Sequence, residues 1–253
     1  MSQFPESALA PMLAKLELGD RFEEQDRAAL LSLPHQIRTR GANAYILREG
    51  DRPLYSCVLL SGFAVRHKVA GNGARQILSL HMKGDLVDLQ NTILGIADHN
   101  VETLTRVEVA YIPVSAIAAL AASHPALGKA MWRETLVEAS IFREWILNLG
   151  RRNARARAAH FLCEMALRLE MAGLGTRGAF ELPLTQEQLG DVLGLTSVHV
   201  NRTLKAMRVA GLADCSRKSV AIRDWTGLTA MGDFDDTYLH LNGVNPVGVP
   251  VAA

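Results

Sequence analysis

The sequence predicts an α+β chain in three parts: a β-rich N-terminal domain of sandwich or barrel type, a long helix, and a C-terminal winged helix-turn-helix. Three observations carry this. From about His35 to Pro113, apolar residues fall in short runs punctuated by Gly, Asp and Asn, the pattern of many short strands. From Pro125 they recur instead at threes and fours, the helical period. Residues 182–212 then set two short amphipathic helices on either side of a glycine turn.

Residues 5–33 read as short helices, with Phe22, Ala28, Leu30 and Leu31 among charged residues and Pro34 as the stop. In the β region, Val58, Leu60, Phe63, Val65, Ile77, Leu78, Leu80, Val101, Val107, Val109 and Tyr111 mark the strands. Gly71-Asn72-Gly73, between VRHKVA and ARQILSL, marks a hairpin, because glycine reaches positive φ without strain. On the long helix, Leu127, Met131, Thr135, Leu136, Ala139, Phe142, Ile146 and Leu149 share a stripe, which Ile141 and Trp145 widen. A helix apolar over so much of its girth needs cover on more than one side. One side suits the β-domain. The other suits the same helix in a second subunit, a dimer interface of Leu127, Met131, Leu136, Ala139, Phe142, Ile146 and Leu149; the alternative is burial within a single domain. A break at Gly150–Asn153 leads into another amphipathic helix, whose apolar face carries Ala158, Phe161, Leu162, Met165, Ala166 and Leu169. The expected divisions are a β-domain at 1–125, the dimerisation helix at 126–150, the winged helix-turn-helix domain at 151–240 and a weakly patterned tail at 241–253.

Composition excludes several classes. Of 253 residues, 49% are hydrophobic and 21% charged, so the chain has enough apolar side chains for cores and is not disordered. The net charge of +1 hides a strong asymmetry: Arg151–Asp224 holds twelve Lys/Arg against seven Asp/Glu, while Trp225–Ala253 holds three Asp and no Lys or Arg. A basic segment suits contact with phosphates. Cys57, Cys163 and Cys215 are too far apart for a disulfide framework or a CxxC zinc site, so reduced thiols and a cytoplasmic location are expected, with no metal. MSQFPESALA has neither a basic n-region nor an apolar stretch, so neither signal peptide nor membrane span is expected.

The function is expected in LPLTQEQLGDVLGLTSVHVNRTLKAMRVAGL. Thr185 and Gln188 form a capping box for a first helix over about Gln186–Leu193, facing Leu189, Val192 and Leu193 inward. Gly194 ends it in the left-handed conformation, Leu195 plugs the turn and Thr196 caps a second helix over about Ser197–Val209. Val200, Leu204 and Met207 face inward, and Gly190 lets the helices cross closely. Ser197, His199, Asn201, Arg202 and Lys205 then point outward, chemistry suited to base edges and phosphates, with Val198 placed for a thymine methyl. Arg202 is the natural bidentate reader of guanine. GLADCSRKSVAIRD reads as strand, turn, strand, with Arg217 and Lys218 at a basic tip. The DNA-contacting set is therefore Thr185, Gln186, Thr196, Ser197, Val198, His199, Asn201, Arg202, Lys205, Arg217 and Lys218. The alternative is an αα-hairpin that binds no DNA.

An enzyme has little support: GxSxG, HExxH, a P-loop and the Rossmann glycines are all lacking. His160, Cys163 and Glu164 are reactive types, but Cys163 shares a helical phase with apolar neighbours while Glu164 is expected outside that face.

These parts, in this order, resemble the Crp/Fnr family of bacterial transcription regulators. The match rests on REGD at Arg48–Asp51, an LLSGFAV hairpin at Leu59–Val65, GDL at Gly84–Leu86 and TQEQLGDVLGLTSVHVNRTLKAMR at Thr185–Arg208. The resemblance implies a jelly-roll effector domain of cyclic-nucleotide-binding type, a homodimer through the long helix, and major-groove binding of a two-fold symmetric site in double-stranded DNA. RNA polymerase and an unidentified small-molecule effector are further candidate partners. The family's base-reading positions fall on Ser197, Val198, Asn201 and Arg202; Arg202 matches the pattern, whereas Ser197 and Val198 depart from it. The effector cassette is degenerate. Aligned on Gly84 and Asp85, the ribose-binding Glu becomes Leu89 and the phosphate-binding Arg-Ser pair becomes His99-Asn100. Leucine offers a ribose hydroxyl nothing, and neutral histidine is a poor substitute for guanidinium. No cofactor is therefore expected, cyclic nucleotide included. The cysteine cluster of the iron–sulfur branch is lacking, and His67, His81 and His99, each alone in the β-domain, are expected at the surface or hydrogen-bonded rather than on haem. A haem- or small-ligand-binding sensor is the alternative reading.

Overall fold

The computed structural model describes residues 7–241; the tail expected to be weakly patterned lies, from 242 on, outside them. Two short helices, α1 (Ala10–Glu17) and α2 (Glu24–Leu31), precede seven strands: β1 (Gln36–Arg40), β2 (Tyr45–Leu47), β3 (Tyr55–Ser61), β4 (Ala64–Val69), β5 (Arg75–His81), β6 (Asn100–Thr103) and β7 (Val107–Pro113). The strands form two antiparallel sheets, ordered β1-β7-β3 and β2-β6-β4-β5. A short helix, α3 (Asn91–Leu94), lies between β5 and β6. The expected hairpin at Gly71–Gly73 is present: β4 and β5 pair from Ala64↔His81 to Val69↔Arg75, and Gly73 takes φ 84°. The LLSGFAV segment is not a hairpin. β3 pairs with β7 while β4 pairs with β5 and β6, so the turn at Gly62 (φ 77°) carries the chain from one sheet to the other. Both strands keep full ladders without pairing to each other, as in a sandwich whose chain switches sheets.

The segment between Pro113 and Pro125, left unassigned by the sequence, is a helix, α4 (Val114–Ser123). Its VSAIAALAAS run is apolar almost throughout, so it shows little periodicity. α5 (Pro125–Arg151) follows, with Pro125 in its first turn, where a missing N–H costs nothing. Leu127 and Met131 are not at a free surface. They belong to a core built by α1, α2, α4 and the inner face of the sandwich, with Met12, Leu16, Leu30 and Ile112. The first turns of α5 thus close the β-domain rather than meet a second subunit.

Asn153 caps α6 (Ala154–Met171) by accepting from the Arg155 and Ala156 N–H groups. α6 is enclosed on every side, so Glu164, expected off the buried face, is buried. It accepts from Trp145 Nε1 (2.9 Å) and the Tyr238 hydroxyl (2.9 Å) and pairs with Arg168 (3.2 Å). Cys163 is a core thiol, pushed by burial up to about 12. The largest core joins the domains: Val65, Ile77 and Leu80 of the β-domain pack in one cluster with Trp145, Phe161, Leu189 and Val200. The DNA-binding domain continues with β8 (Gly175–Thr176), β9 (Ala179–Glu181), α7 (Gln186–Leu193), α8 (Ser197–Val209), β10 (Ala213–Ser216), β11 (Ser219–Ile222), α9 (Trp225–Gly232) and a 3₁₀ turn at Asp236–Leu239. The wing expected from two strands is a four-stranded sheet, β10-β11-β9-β8. β8 and β9 are two and three residues long, too short to leave an alternating pattern.

One buried acid gives a pH prediction. Burial raises the Asp88 carboxyl to about 6, against hydrogen bonds from the Cys57 N–H (2.8 Å) and the Ser56 hydroxyl (3.1 Å). An acid whose folded pKa lies above its unfolded one, ~3.9, stabilises the fold below that unfolded value. The contribution is lost as pH rises through about 6. Asp88→Asn removes this dependence. Its stability relative to wild type, measured by urea unfolding, is expected to improve by about 1 kcal/mol between pH 5 and pH 7.5.

Candidate nucleic-acid interface

The helix-turn-helix forms where its caps place it. The Thr185 hydroxyl accepts from the Gln188 N–H (3.1 Å) while Gln188 Oε1 accepts from the Thr185 N–H (2.9 Å), closing the capping box. Gly194 ends α7 with φ 63°, and the Thr196 hydroxyl accepts from the His199 N–H to open α8. A Cβ on Gly190 would run into the Leu195 carbonyl oxygen, so the close approach requires glycine there. Val200 and Met207 are buried, Leu204 is half-buried, and Thr203, not singled out in the sequence, is buried with them.

The outward residues lie as follows. Ser197, Val198, Asn201, Arg202 and Lys205 are exposed along α8, Val198 at 77%, and His199 is half-buried. Gln186, in the first turn of α7, accepts from Asn201 Nδ2 at 3.4 Å, so the two helices share one polar face. Thr185, Gln186, Arg217 and Lys218 line one cavity, which brings the wing tip beside the start of α7; Arg217 adopts φ 54° at that tip. Thr185 and Thr196 use their hydroxyls as helix caps. Arg155, which sequence reasoning missed, lines a second cavity with His199 and Arg202. The signal for it was the cluster of arginines at the start of α6, where Arg155 is an exposed neighbour of the Asn153 cap. Arg208, farther along α8, is tied to Asp214 at 2.6 Å, whereas Arg202 and Lys205 have no ion-pair partner among the described residues. An exposed, unpaired guanidinium on a helix N-terminal half is the geometry for bidentate reading of a base edge.

The dimer face drawn from the sequence divides. Leu136 (53% exposed) and Ile146 (70%) are open, but Ala139, Phe142 and Leu149 are half-buried within the chain. The Phe142 ring lies 5.8 Å beneath the Arg66 guanidinium, and Leu149 packs toward Gly194. Trp132, missed in the sequence, is 68% exposed. It could have been found from its spacing: Trp132, Leu136, Ala139, Arg143 and Ile146 alternate by four and three, the rhythm of a helix–helix seam.

The effector-cassette residues are engaged within the chain, although Asp85 and Leu89 also line a cavity with His81, Glu134 and Arg168. Gly84 takes φ 93°, and a Cβ there would meet the Pro11 carbonyl at 2.6 Å. Asp85 accepts from the Met82 N–H and pairs with Lys15 at 3.2 Å; burial opposes its ionisation, but Lys15 and Arg168 hold the carboxyl below its usual range. Leu89 is buried in the α1–α4–α5 core. His99 is buried against Asp98 (2.7 Å), with burial holding its pKa below the usual value, and Asn100 Oδ1 accepts from the Glu49 N–H at 3.1 Å. Arg66, the buried cation of the neighbouring strand, donates to the Val87 carbonyl (2.7 Å) and to Glu138. His67 and His81 are buried too, not at the surface: His81 is bonded to Ser79 at 2.8 Å, and His67 lies 3.4 Å from Glu102. Among the described residues no group of three or more metal-ligating side chains occurs, and no helix is long and apolar enough to cross a membrane.

Comparison with known proteins places the two halves of this arrangement. Residues 37–124 match the cyclic nucleotide-binding domain, and residues 156–231 match the Crp-like helix-turn-helix domain. The chain is 27% identical over 229 residues to an anaerobic regulatory protein of Haemophilus influenzae, covering 90% of this chain and 89% of that protein. It is 28% identical over 179 residues to a probable transcriptional activator of Rhizobium leguminosarum bv. viciae, covering 70% and 73%. Its fold superposes on FixK2 of Bradyrhizobium japonicum with a TM-score of 0.71 at 24% identity, covering 79% of this chain and 98% of that one. With a β-sandwich of cyclic-nucleotide-binding type joined by a long helix to a winged helix-turn-helix, the chain belongs to the Crp/Fnr family of DNA-binding transcription regulators.

Proposed function

We propose that the protein acts in the cytoplasm as a homodimer that reads a two-fold symmetric operator, with no catalytic role. The exposed polar face of α8 carries this reading, with Arg202 unpaired at its centre and Gln186 buttressing Asn201. The open seam of Trp132, Leu136 and Ile146 on α5 supports pairing of two copies, which would set two recognition helices about 34 Å apart. Major-groove contact then divides into base reading by Ser197, Val198, Asn201 and Arg202, and phosphate contact by Lys205, Arg217, Lys218 and Arg155. RNA polymerase would be met while the dimer sits on its operator.

The residues present do not fit a cyclic nucleotide. Leu89 cannot hydrogen-bond a ribose, burial holds the His99 pKa below its usual value and so disfavours the cation, and the Arg66 guanidinium is already engaged by Glu138 and Val87. Nor do they favour haem, since His81 and His99 are hydrogen-bonded and His67 faces Glu102 and Arg75 rather than an apolar slot. We therefore assign regulation to the protein's abundance or to another small molecule.

Arg202→Ala tests the reading. In a competition gel-shift assay it is expected to weaken the preferred operator by ~1–3 kcal/mol per half-site and to relax selectivity at one base position in each half. Lys205→Ala should weaken all sequences alike and reduce the salt slope by about one unit. Wild-type affinity and selectivity in the Arg202 variant would show that α8 is not the reading helix.

A further inference from the structure

The last four carbonyls of a helix have no partner inside it. In α7 these are Gly190, Asp191, Val192 and Leu193. Gly190 accepts from the Gly194 and Leu195 N–H groups, and Leu193 accepts from Arg157 Nη1 at 2.7 Å, all within the DNA-binding domain. The middle two are satisfied from the β-domain. Gln76 Nε2 on β5 donates to the Asp191 carbonyl at 2.6 Å and shares its second hydrogen between the Val192 carbonyl at 3.2 Å and the Ile77 carbonyl of its own strand at 2.9 Å. Beside it, Arg75 Nε meets the Asp191 carboxylate at 2.7 Å, and Arg75 Nη1 is braced by Glu102 at 3.2 Å. An amide and a cation therefore grip the negative end of α7, where both are favoured. Farther along the same strand, Arg168 of α6 donates to the Leu80 carbonyl at 2.7 Å. The gripped end of α7 is opposite Thr185 and Gln186, and α8 stays exposed, so the contact leaves the DNA-reading face open.

We propose that the β4–β5 hairpin is a clamp that sets the orientation of the helix-turn-helix, which makes Gln76 and Arg75 positioning residues for operator binding. The proposal rests on the homodimer reading above. In a dimer, each recognition helix is tied to α5 through the joint at Arg152–Asn153. That joint and the shared apolar core hold the domain without fixing its direction, since apolar packing is non-directional; the clamp adds directed polar contacts from the sandwich. Its effect falls on the distance between two recognition helices and not on what either one reads. The clamp therefore acts on tolerance to half-site spacing, while the affinity of a single half-site is set by α8.

The test uses Gln76→Glu in the full chain. The substitution keeps the size but turns an amide donor into a carboxylate facing three carbonyl oxygens and near the Asp191 carboxylate. Kd is measured for operators whose half-sites are shifted by one and two base pairs from the preferred spacing, and for an isolated half-site. Wild type is expected to lose about tenfold or more per shifted pair. The variant should lose less than about threefold, with half-site Kd unchanged within about twofold and the dimer intact by sedimentation. Arg75→Met, which removes the Asp191 pair and its Glu102 brace but keeps the Gln76 contacts, should show an intermediate tolerance and carries the test if Gln76→Glu fails to fold. A folded variant with wild-type spacing preference overturns the proposal. So does an equal loss on half-site and full operator, which would mean only a weakened helix-turn-helix. A wild-type protein indifferent to spacing would remove the dimer reading, and the clamp with it.

Discussion

The double variant Leu136→Glu/Ile146→Glu is expected to run as a monomer and to lose operator affinity by at least about 100-fold, because each recognition helix must then bind without its tethered twin. Both side chains are more than half exposed in the single chain, so the substitutions should leave monomer stability within about 0.5 kcal/mol. In a two-fold seam the same substitutions place four carboxylates against one another and against apolar rings, among them Trp132. Sedimentation velocity and operator titration on one sample separate the two effects. A dimer of unchanged affinity would mean that α5 uses another face. Leu127→Glu, by contrast, is expected to unfold the β-domain, because that position is fully buried beneath α1 and α4.

Glu164→Ala is expected to destabilise the fold by about 3–5 kcal/mol, since removing one partner of a buried pair leaves the buried donors around it short of acceptors. Burial raises the Glu164 carboxyl, while Arg168 and the hydrogen bonds from Trp145 and Tyr238 draw it back. Removing it strands three donors, only one of which, Arg168, has further acceptors in Leu80 and Asp85. For a chain of this size the loss corresponds to a drop in melting temperature of roughly 6–20 °C. Glu164→Gln, which keeps an acceptor for Trp145 or Tyr238, should fall by less than half as much. Equal stability of wild type and the alanine variant would mean that this network does not hold α5, α6 and the C-terminal turn together.

The helix-turn-helix was legible almost residue by residue because its signals are local. Thr185, Gln188, Gly194 and Thr196 act within four residues of where they stand, so α7 and α8 begin and end where the sequence places them. The β4–β5 hairpin was legible for the same reason, its turn being set by Gly73. Features that depend on distant partners were not legible. Nothing near Leu59–Val65 tells that β3 and β4 pair with different strands. Nothing near Glu164 tells that Trp145 and Tyr238 close over it from either end of the domain. The apolar stripe on α5 could not be divided into inward and outward residues, because α1 and α4, which bury Leu127 and Met131, are placed by tertiary packing. Gln76 gave no sign of its role, since its partners are carbonyls more than a hundred residues away.

The central claim, a dimer reading symmetric DNA through α8, is met most directly by selection of the purified full-length protein against a random double-stranded pool, followed by sequencing. The account predicts enrichment of a two-fold symmetric site whose half-site centres lie about 10–10.5 base pairs apart, recovered without added cyclic nucleotide and lost from the Arg202→Ala pool at one position per half. Enrichment of a single asymmetric element, or none with or without cyclic nucleotide, would contradict it.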